Sequence, residues 1–213
     1  MNEPFLSFIP RYSNEFYPLL LLHYRRRDVR GPYGLDHGID WLGDEDQREE
    51  LNELKEGTDY GWPYVYADGK IPPHPQPAGE TPEQYAAKTV KPVQLYVAHA
   101  APLGMVFNSA AQFPQEYRND AFVTMYGSWN RAQPSGYRIV RVRFDAQGRA
   151  TGMEDFVTGW LVNDNKEQFG RVCGIAQHPD GLLLVTDDAN GVIYRVAYAG
   201  AGAGKAKPEA KKS

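Results

Sequence analysis

Alternating apolar and polar positions dominate the chain from Val93 onward. Val93–Ala98, Gly104–Phe107, Ala121–Tyr126, Tyr137–Phe144, Met153–Thr158, Gly174–Gln177, Leu182–Asp187 and Val192–Tyr198 are short, rich in β-branched and aromatic residues, and bounded by turn residues. Each predicts a strand. Asp180-Gly181 and Asn190-Gly191 stand between apolar runs, the strongest local signal for a hairpin. Within Tyr137–Phe144 the arginines fall at 138, 141 and 143, so the alternation there is partial. Ala121–Tyr126 followed by Ile139-Val140-Arg141-Val142 resembles Leu183–Thr186 followed by Ile193-Tyr194-Arg195-Val196. The two copies lie about fifty residues apart, the scale of one four-stranded propeller blade. A β-sandwich is the competing architecture, and loops this long between the strands favour a propeller.

The stretch Asp36–Tyr66 has a different character. It opens Asp36-His37-Gly38-Ile39-Asp40-Trp41-Leu42-Gly43-Asp44, continues through Glu49-Glu50-Leu51-Asn52, and closes on Tyr60-Gly61-Trp62-Pro63-Tyr64-Val65-Tyr66. Carboxylates, turn residues and aromatics at this density predict an ordered loop. Its hard oxygen donors on irregular backbone suit Ca²⁺, although an acidic surface loop has the same composition. Asp46–Lys55 predicts a short helical turn inside the loop, and Asp59–Gly69 returns to β-type residues ending on an Asp68-Gly69 turn. Ile71–Pro82 holds five prolines and predicts an extended surface loop. Thr81-Pro82-Glu83-Gln84 opens a capped helix running to about Lys88. Met1–Arg27 shows no periodicity, and Ala199–Ser213 is an Ala, Gly and Lys tail with no core residues.

Composition agrees with turn-rich β-structure: 21 Gly, 16 Pro and 14 Tyr in 213 residues, enough for one domain with a real core. A formal charge of −4 advertises no nucleic-acid partner. A lone cysteine, Cys173, excludes an intramolecular disulfide and suits a small buried position. Pro18–Leu22 is too short to span a bilayer, and Arg25-Arg26-Arg27 follows it, the reverse of a signal peptide. The expectation is a chain without membrane span or export signal. Trp41, Trp62, Trp129 and Trp160 are expected to pack between blades rather than stack on sugar, and Asp187-Asp188 to cap a turn.

Four groups of residues carry a resemblance: Asp36-His37-Gly38 through Tyr60-Gly61-Trp62-Pro63; Gly127-Ser128-Trp129-Asn130-Arg131; Gly170-Arg171; and His178-Pro179-Asp180-Gly181 through Asp187–Arg195. In this order they resemble the soluble quinoprotein sugar dehydrogenases of the glucose and sorbosone dehydrogenase type. Those are six-bladed β-propellers that use pyrroloquinoline quinone and Ca²⁺. The resemblance covers 30–198 and implies an all-β chain holding about three to four blades of a partial propeller, flanked by an N-terminal segment (1–29) and the tail (199–213).

The resemblance also implies roles. Arg30, in Arg30-Gly31-Pro32, together with Arg131 and Arg171, would bind the tricarboxylate quinone, which a planar guanidinium can meet bidentately. Gly38 and Ile39 would offer backbone carbonyls to calcium, with Glu50 and Tyr60 as further calcium ligands. The implied reaction oxidises a sugar or polyol and passes electrons through the quinone to an external acceptor, in the periplasm or outside the cell. The family's catalytic histidine belongs to an earlier blade, and His23, His37 and His99 do not inherit its place. The chain is therefore expected to carry the C-terminal part of such an enzyme and not to turn over alone. A non-catalytic calcium-stabilised binding module and a lactonase-type propeller hydrolase are the alternatives. The Gly-Ser-Trp-Asn-Arg loop and the arginine pair, which suit an anionic cofactor, argue against the hydrolase.

Overall fold

The computed structural model describes residues 22–25, 32–73 and 76–200. Arg30 and most of the N-terminal segment lie outside them, as does the tail beyond 200. The described residues are nearly all β. Strands β1 (Leu22–Arg25), β2 (Pro32–Asp36), β3 (Glu49–Glu53) and β4 (Gln94–Tyr96) form one antiparallel meander. β5 (Pro102–Phe107), β6 (Ala121–Met125), β7 (Arg138–Phe144) and β8 (Ala150–Val157) form a second. A short hairpin of β9 (Leu161–Val162) and β10 (Glu167–Gln168) leads into a third sheet of β11 (Val172–Gln177), β12 (Leu183–Asp187) and β13 (Val192–Val196).

The strands expected from Val93 onward all form, and Asp180-Gly181 and Asn190-Gly191 close the two hairpins of the third sheet. The internal repeat corresponds to β6–β7 and β12–β13, the same pair of positions in successive meanders. The helix forms as α1 (Pro82–Ala86). Thr81 Oγ1 accepts from the Gln84 amide, and Gln84 Oε1 accepts from the Thr81 amide, a reciprocal capping box.

Two secondary-structure expectations fail. Asp46–Lys55 contains strand β3 rather than a helical turn. Glu50 and Asn52 face one side of β3 while Leu51 enters the core, so alternation decides its state despite its polar composition. Asp59–Gly69 forms no strand, only an isolated bridge from Tyr66 to Lys70 around the Asp68-Gly69 turn.

Period-two alternation on β6 assembles the core. Ala121, Val123 and Met125 join Tyr33, Leu35 and Leu51 of the first sheet in one apolar layer. Phe122 faces the opposite way, into a layer with Ile139, Val172, Leu183 and Val185 that reaches the third sheet. Thr124, on the Phe122 face, donates through its hydroxyl to the Cys173 carbonyl of β11. Both faces of β6 are thus covered, which is why all five of its residues are buried and only Thr124 among them is polar. Cys173 is half-buried rather than buried. Trp160 packs in the second layer, whereas Trp41 and Trp129 are exposed, against expectation. Among the described residues no helix is long and apolar enough to cross a membrane.

Phe122 is fully buried, with its ring 4.3 Å from that of Phe156 and 5.6 Å from that of Phe113. Phe122→Ala should cost about 3–5 kcal/mol in urea unfolding, the usual range for emptying an aromatic core position. A loss below about 1 kcal/mol would mean that this layer does not hold the second and third sheets together.

Candidate functional site

Two loops from different sheets meet at one end of the molecule. The β2–β3 connection carries Asp40, Asp44 and Glu45, and the β6–β7 connection carries Gly127–Ala132. Trp129 Nε1 donates to Asp40 Oδ2 at 2.5 Å, and Asn130 Nδ2 donates to the Asp40 carbonyl at 2.9 Å. The Ala132 amide donates to Asp44 Oδ2 at 2.9 Å, and Arg131 Nη2 donates to Glu45 Oε1 at 2.7 Å. Beneath them lies buried His99. Its Nδ1 is 3.0 Å from Asp40 Oδ1 and 3.0 Å from Asn130 Oδ1, and its Nε2 is 2.9 Å from the Gly43 carbonyl. The acidic residues of this stretch therefore act as a clamp on the neighbouring loop.

Arg171 reaches the same loop from the third sheet. Its guanidinium lies 3.7 Å from the centre of the Tyr126 ring and donates to the Gly127 carbonyl. Asp187 sets the turn that carries it, as its Oδ1 accepts from the amides of Arg171, Ala189 and Asn190, and its Oδ2 from the Tyr194 hydroxyl. The expected turn-capping role of Asp187 is what forms. A Cβ at Gly170 would stand 2.0 Å from Asp187 Oδ2, so only glycine fits there. Arg171 thus contacts the loop that carries Arg131. Arg131 Nε is buried with no hydrogen-bond partner. The rest of its guanidinium is engaged by Glu45 through Nη2, so a carboxylate-bearing ligand would have to compete with Glu45 for it.

The residues expected to hold calcium divide. Gly38 sits where a Cβ would lie 2.1 Å from the Gln47 carbonyl oxygen. Its amide donates to Glu49 Oε2 at 3.0 Å, and that of Ile39 to Gln47 Oε1 at 3.3 Å. Glu50 Oε1 accepts from the Ala67 amide at 2.6 Å, and its Oε2 from Asn52 Nδ2 at 3.3 Å. Tyr60 is anchored within its own loop: its hydroxyl donates to the Glu53 carbonyl and accepts from the Lys55 amide, each at 2.8 Å.

Sequence reasoning missed Asp36 and Glu49 as members of this cluster. Asp36 pairs with Glu50 across β2 and β3, and Asp36 Oδ1 and Asn52 Oδ1 are buried without hydrogen-bond partners. Burial raises the carboxyl pKa of Asp36, with the Glu50 and Glu49 charges adding to it, and burial also raises that of Glu50. Burial pushes Glu49 up to about 8, against the amides of Ala101 and Gly38 that favour its ionised form. Among the described residues no three carboxylate, histidine or cysteine side chains converge as a metal centre, so a hard cation here would draw on backbone carbonyls as well as on Asp36 and Glu50. His37 closes the group: its Nε2 is 2.5 Å from the Pro102 carbonyl, and burial lowers its pKa.

Burial thus holds the Glu49 carboxyl at about 8 in the folded chain, against an ordinary value of 4.5. Between these values the folded state binds more protons, so the stability that Glu49 contributes is full below the lower value and lost as pH rises through the upper one. In chelator-containing buffer the thermal midpoint should fall between about pH 5 and pH 9, and Glu49→Gln should flatten that slope. An equal slope in the variant would show that Glu49 is ionised throughout.

With this geometry established, comparison with known proteins places the chain. The TrAA12-like family matches residues 46–199. An uncharacterised protein of Borreliella burgdorferi is 38% identical over 168 residues, covering 78% of this chain and 43% of that protein. The pyrroloquinoline quinone-dependent pyranose dehydrogenase of Coprinopsis cinerea is 32% identical over 125 residues, covering 51% of this chain and 16% of the relative. The calcium structure of the Trichoderma reesei Carbohydrate-Active Enzymes Family AA12 superposes with a TM-score of 0.63 at 22% identity, covering 78% of this chain and 48% of that one. The chain spans less than half the length of each of these relatives, and the solved one shares its fold. It belongs to the TrAA12-like family.

Proposed function

We propose that this chain forms part of a quinoprotein sugar oxidoreductase, with its meanders as consecutive blades of a six-bladed propeller of which it supplies about three to four. Two observations support the blade reading. The sheets stack face to face through two apolar layers, and the sequence repeat recurs at equivalent strands. The observation that carries the functional reading is Arg131. It lies on the loop whose Gly127 carbonyl accepts from Arg171, so two guanidinium groups stand at one loop. Membership of the family and the similarity to a quinone-dependent pyranose dehydrogenase support it further.

In this reading Arg131 and Arg171, with Arg30 from outside the described residues, hold the carboxylates of pyrroloquinoline quinone. The Gly38 and Ile39 carbonyls and the carboxylate of Glu50 serve a calcium ion, with Tyr60 as a further ligand. The orphaned oxygens of Asp36 and Asn52 extend that donor set. When bound, the quinone accepts the electrons of sugar oxidation, and calcium is its electrophilic partner. This chain's own residues bind and orient. Arg171, flat against Tyr126, keeps its charge at a fixed place, and Asp187 holds the turn beneath it. A sugar or polyol is the substrate and an external acceptor takes the electrons, in the periplasm or outside the cell as the family resemblance implies.

Thermal unfolding with Ca²⁺, with pyrroloquinoline quinone and with both tests the proposal, because a ligand that binds only the folded state raises its midpoint. Both ligands should raise it, and Arg131→Ala and Arg171→Ala should each abolish the quinone increment while leaving the calcium one. A shift with calcium alone favours a calcium-stabilised binding module without quinone chemistry. No shift with either ligand overturns both readings.

A further inference from the structure

Single exposed hydrophobic residues are ordinary on a protein surface, whereas adjoining exposed aromatics are informative. Trp129 is 75% exposed, Trp41 61% and Phe169 60%. Their neighbours bring all three to one rim. Asp40, which precedes Trp41, accepts from the indole of Trp129. Phe169 precedes Gly170-Arg171, and the Arg171 guanidinium donates to the carbonyl of Gly127, two residues before Trp129.

The indole of Trp129 is held at its edge. Its N–H is taken by Asp40 Oδ2, the other oxygen of Asp40 lies 3.0 Å from His99 Nδ1, and the Asp40 carbonyl accepts from Asn130. His99 is in turn buried against the Gly43 carbonyl. A rigid carboxylate–imidazole pair therefore sets the ring while solvent keeps its face. A protein-binding hot spot of this kind sits among water-excluding neighbours, and acidic residues are depleted from the centres of such interfaces. Here Asp40 holds the edge of the ring, Asp44 and Glu45 hold the adjoining Ala132 and Arg131, and the side chain of Glu45 is 84% exposed. A flat aromatic face fringed with hydrogen-bond acceptors matches a pyranose ring, whose apolar C–H face lies on the indole while its hydroxyls donate outward. A β-linked glucan, with equatorial hydroxyls, presents the flattest such faces.

We propose that Trp129, set by Asp40, is a stacking platform for one sugar unit of a β-linked oligosaccharide, and that Trp41 extends the same rim to the next unit. Asp40 is a positioning residue. The inference rests on the sugar-oxidising reading for its biological setting, but the binding it describes needs neither quinone nor turnover.

The test is a tryptophan-fluorescence and calorimetric titration of the full chain, free of quinone and metal, with cellohexaose and with glucose as the single-unit comparison. Cellohexaose should quench saturably, and glucose at equal sugar concentration should not. Trp129→Ala should weaken cellohexaose binding about tenfold, the scale of one lost aromatic contact. Asp40→Ala should weaken it less and speed the decay of indole anisotropy, and Asp40→Asn, which keeps an acceptor for the indole, should restore both. Unaltered fluorescence with cellohexaose, or wild-type affinity in Trp129→Ala, overturns the platform. Concentration-dependent self-association that Trp129→Ala removes, without sugar binding, makes the rim a protein interface and also overturns it. Retained cellohexaose binding without a quinone-induced thermal shift sinks the oxidation reading alone, and the converse sinks the platform alone.

Discussion

Asp40 is the residue on which the geometry of the open rim depends. One carboxylate oxygen meets the indole of Trp129 and the other meets His99, while its carbonyl receives Asn130. Asp44 and Glu45 add an amide and a guanidinium partner from the same neighbouring loop. None of these contacts is worth much alone, because exposed charged pairs contribute little. Their value lies in being several, on one short loop, around a buried imidazole. Without them the β6–β7 loop would carry Trp129, Asn130 and Arg131 on backbone with no neighbour to set their direction.

The rim also joins pieces that sheet packing alone would leave independent. Apolar layers hold the three meanders face to face but do not orient their connecting loops. Polar contacts do that, and each comes from a different sheet: the acidic clamp from the first, the Gly127–Ala132 loop from the second, and Arg171 on its Asp187-supported turn from the third. A planar anionic ligand binding there would meet groups from all of them, and the positions of those groups would report on how the sheets are stacked.

Under the clamp, the first sheet concentrates negative charge where burial penalises it. Asp36, Glu49 and Glu50 sit in consecutive rows of β2 and β3, and Glu49 is satisfied by the amides of Gly38 and Ala101. These two amides tie the His37-Gly38 turn to the start of β5, so a carboxylate that burial makes hard to ionise also links the first sheet to the second. The conflict between a structural role for Glu49 and the cost of its charge is the kind a bound cation relieves.

The strands from Val93 onward, their two hairpin turns, the blade-scale repeat and the capped helix were legible in the sequence. Each rests on local rules: alternation, the turn chemistry of Asp-Gly and Asn-Gly, and a capping box completed within four residues. Gly127–Arg131 and Gly170-Arg171 stood out through resemblance, and the structure brings them to one loop. Three things were not legible. Glu49–Glu53 is a strand because its polar side chains find partners in other segments, which local propensity cannot register. Trp41 and Trp129 are exposed because Asp40 and its neighbours hold the loops outward, a pairing across some ninety residues. Asp40, Asp44 and Glu45 read equally as metal ligands or surface charges until the loop they grip is beside them. The sequence by itself thus determined the strands from Val93 onward and their hairpins, since those follow local alternation and turn chemistry. Only the tertiary structure decided which carboxylates are buried, which tryptophans face solvent and which arginine keeps a donor unpaired, because those depend on what long-range packing places against each side chain.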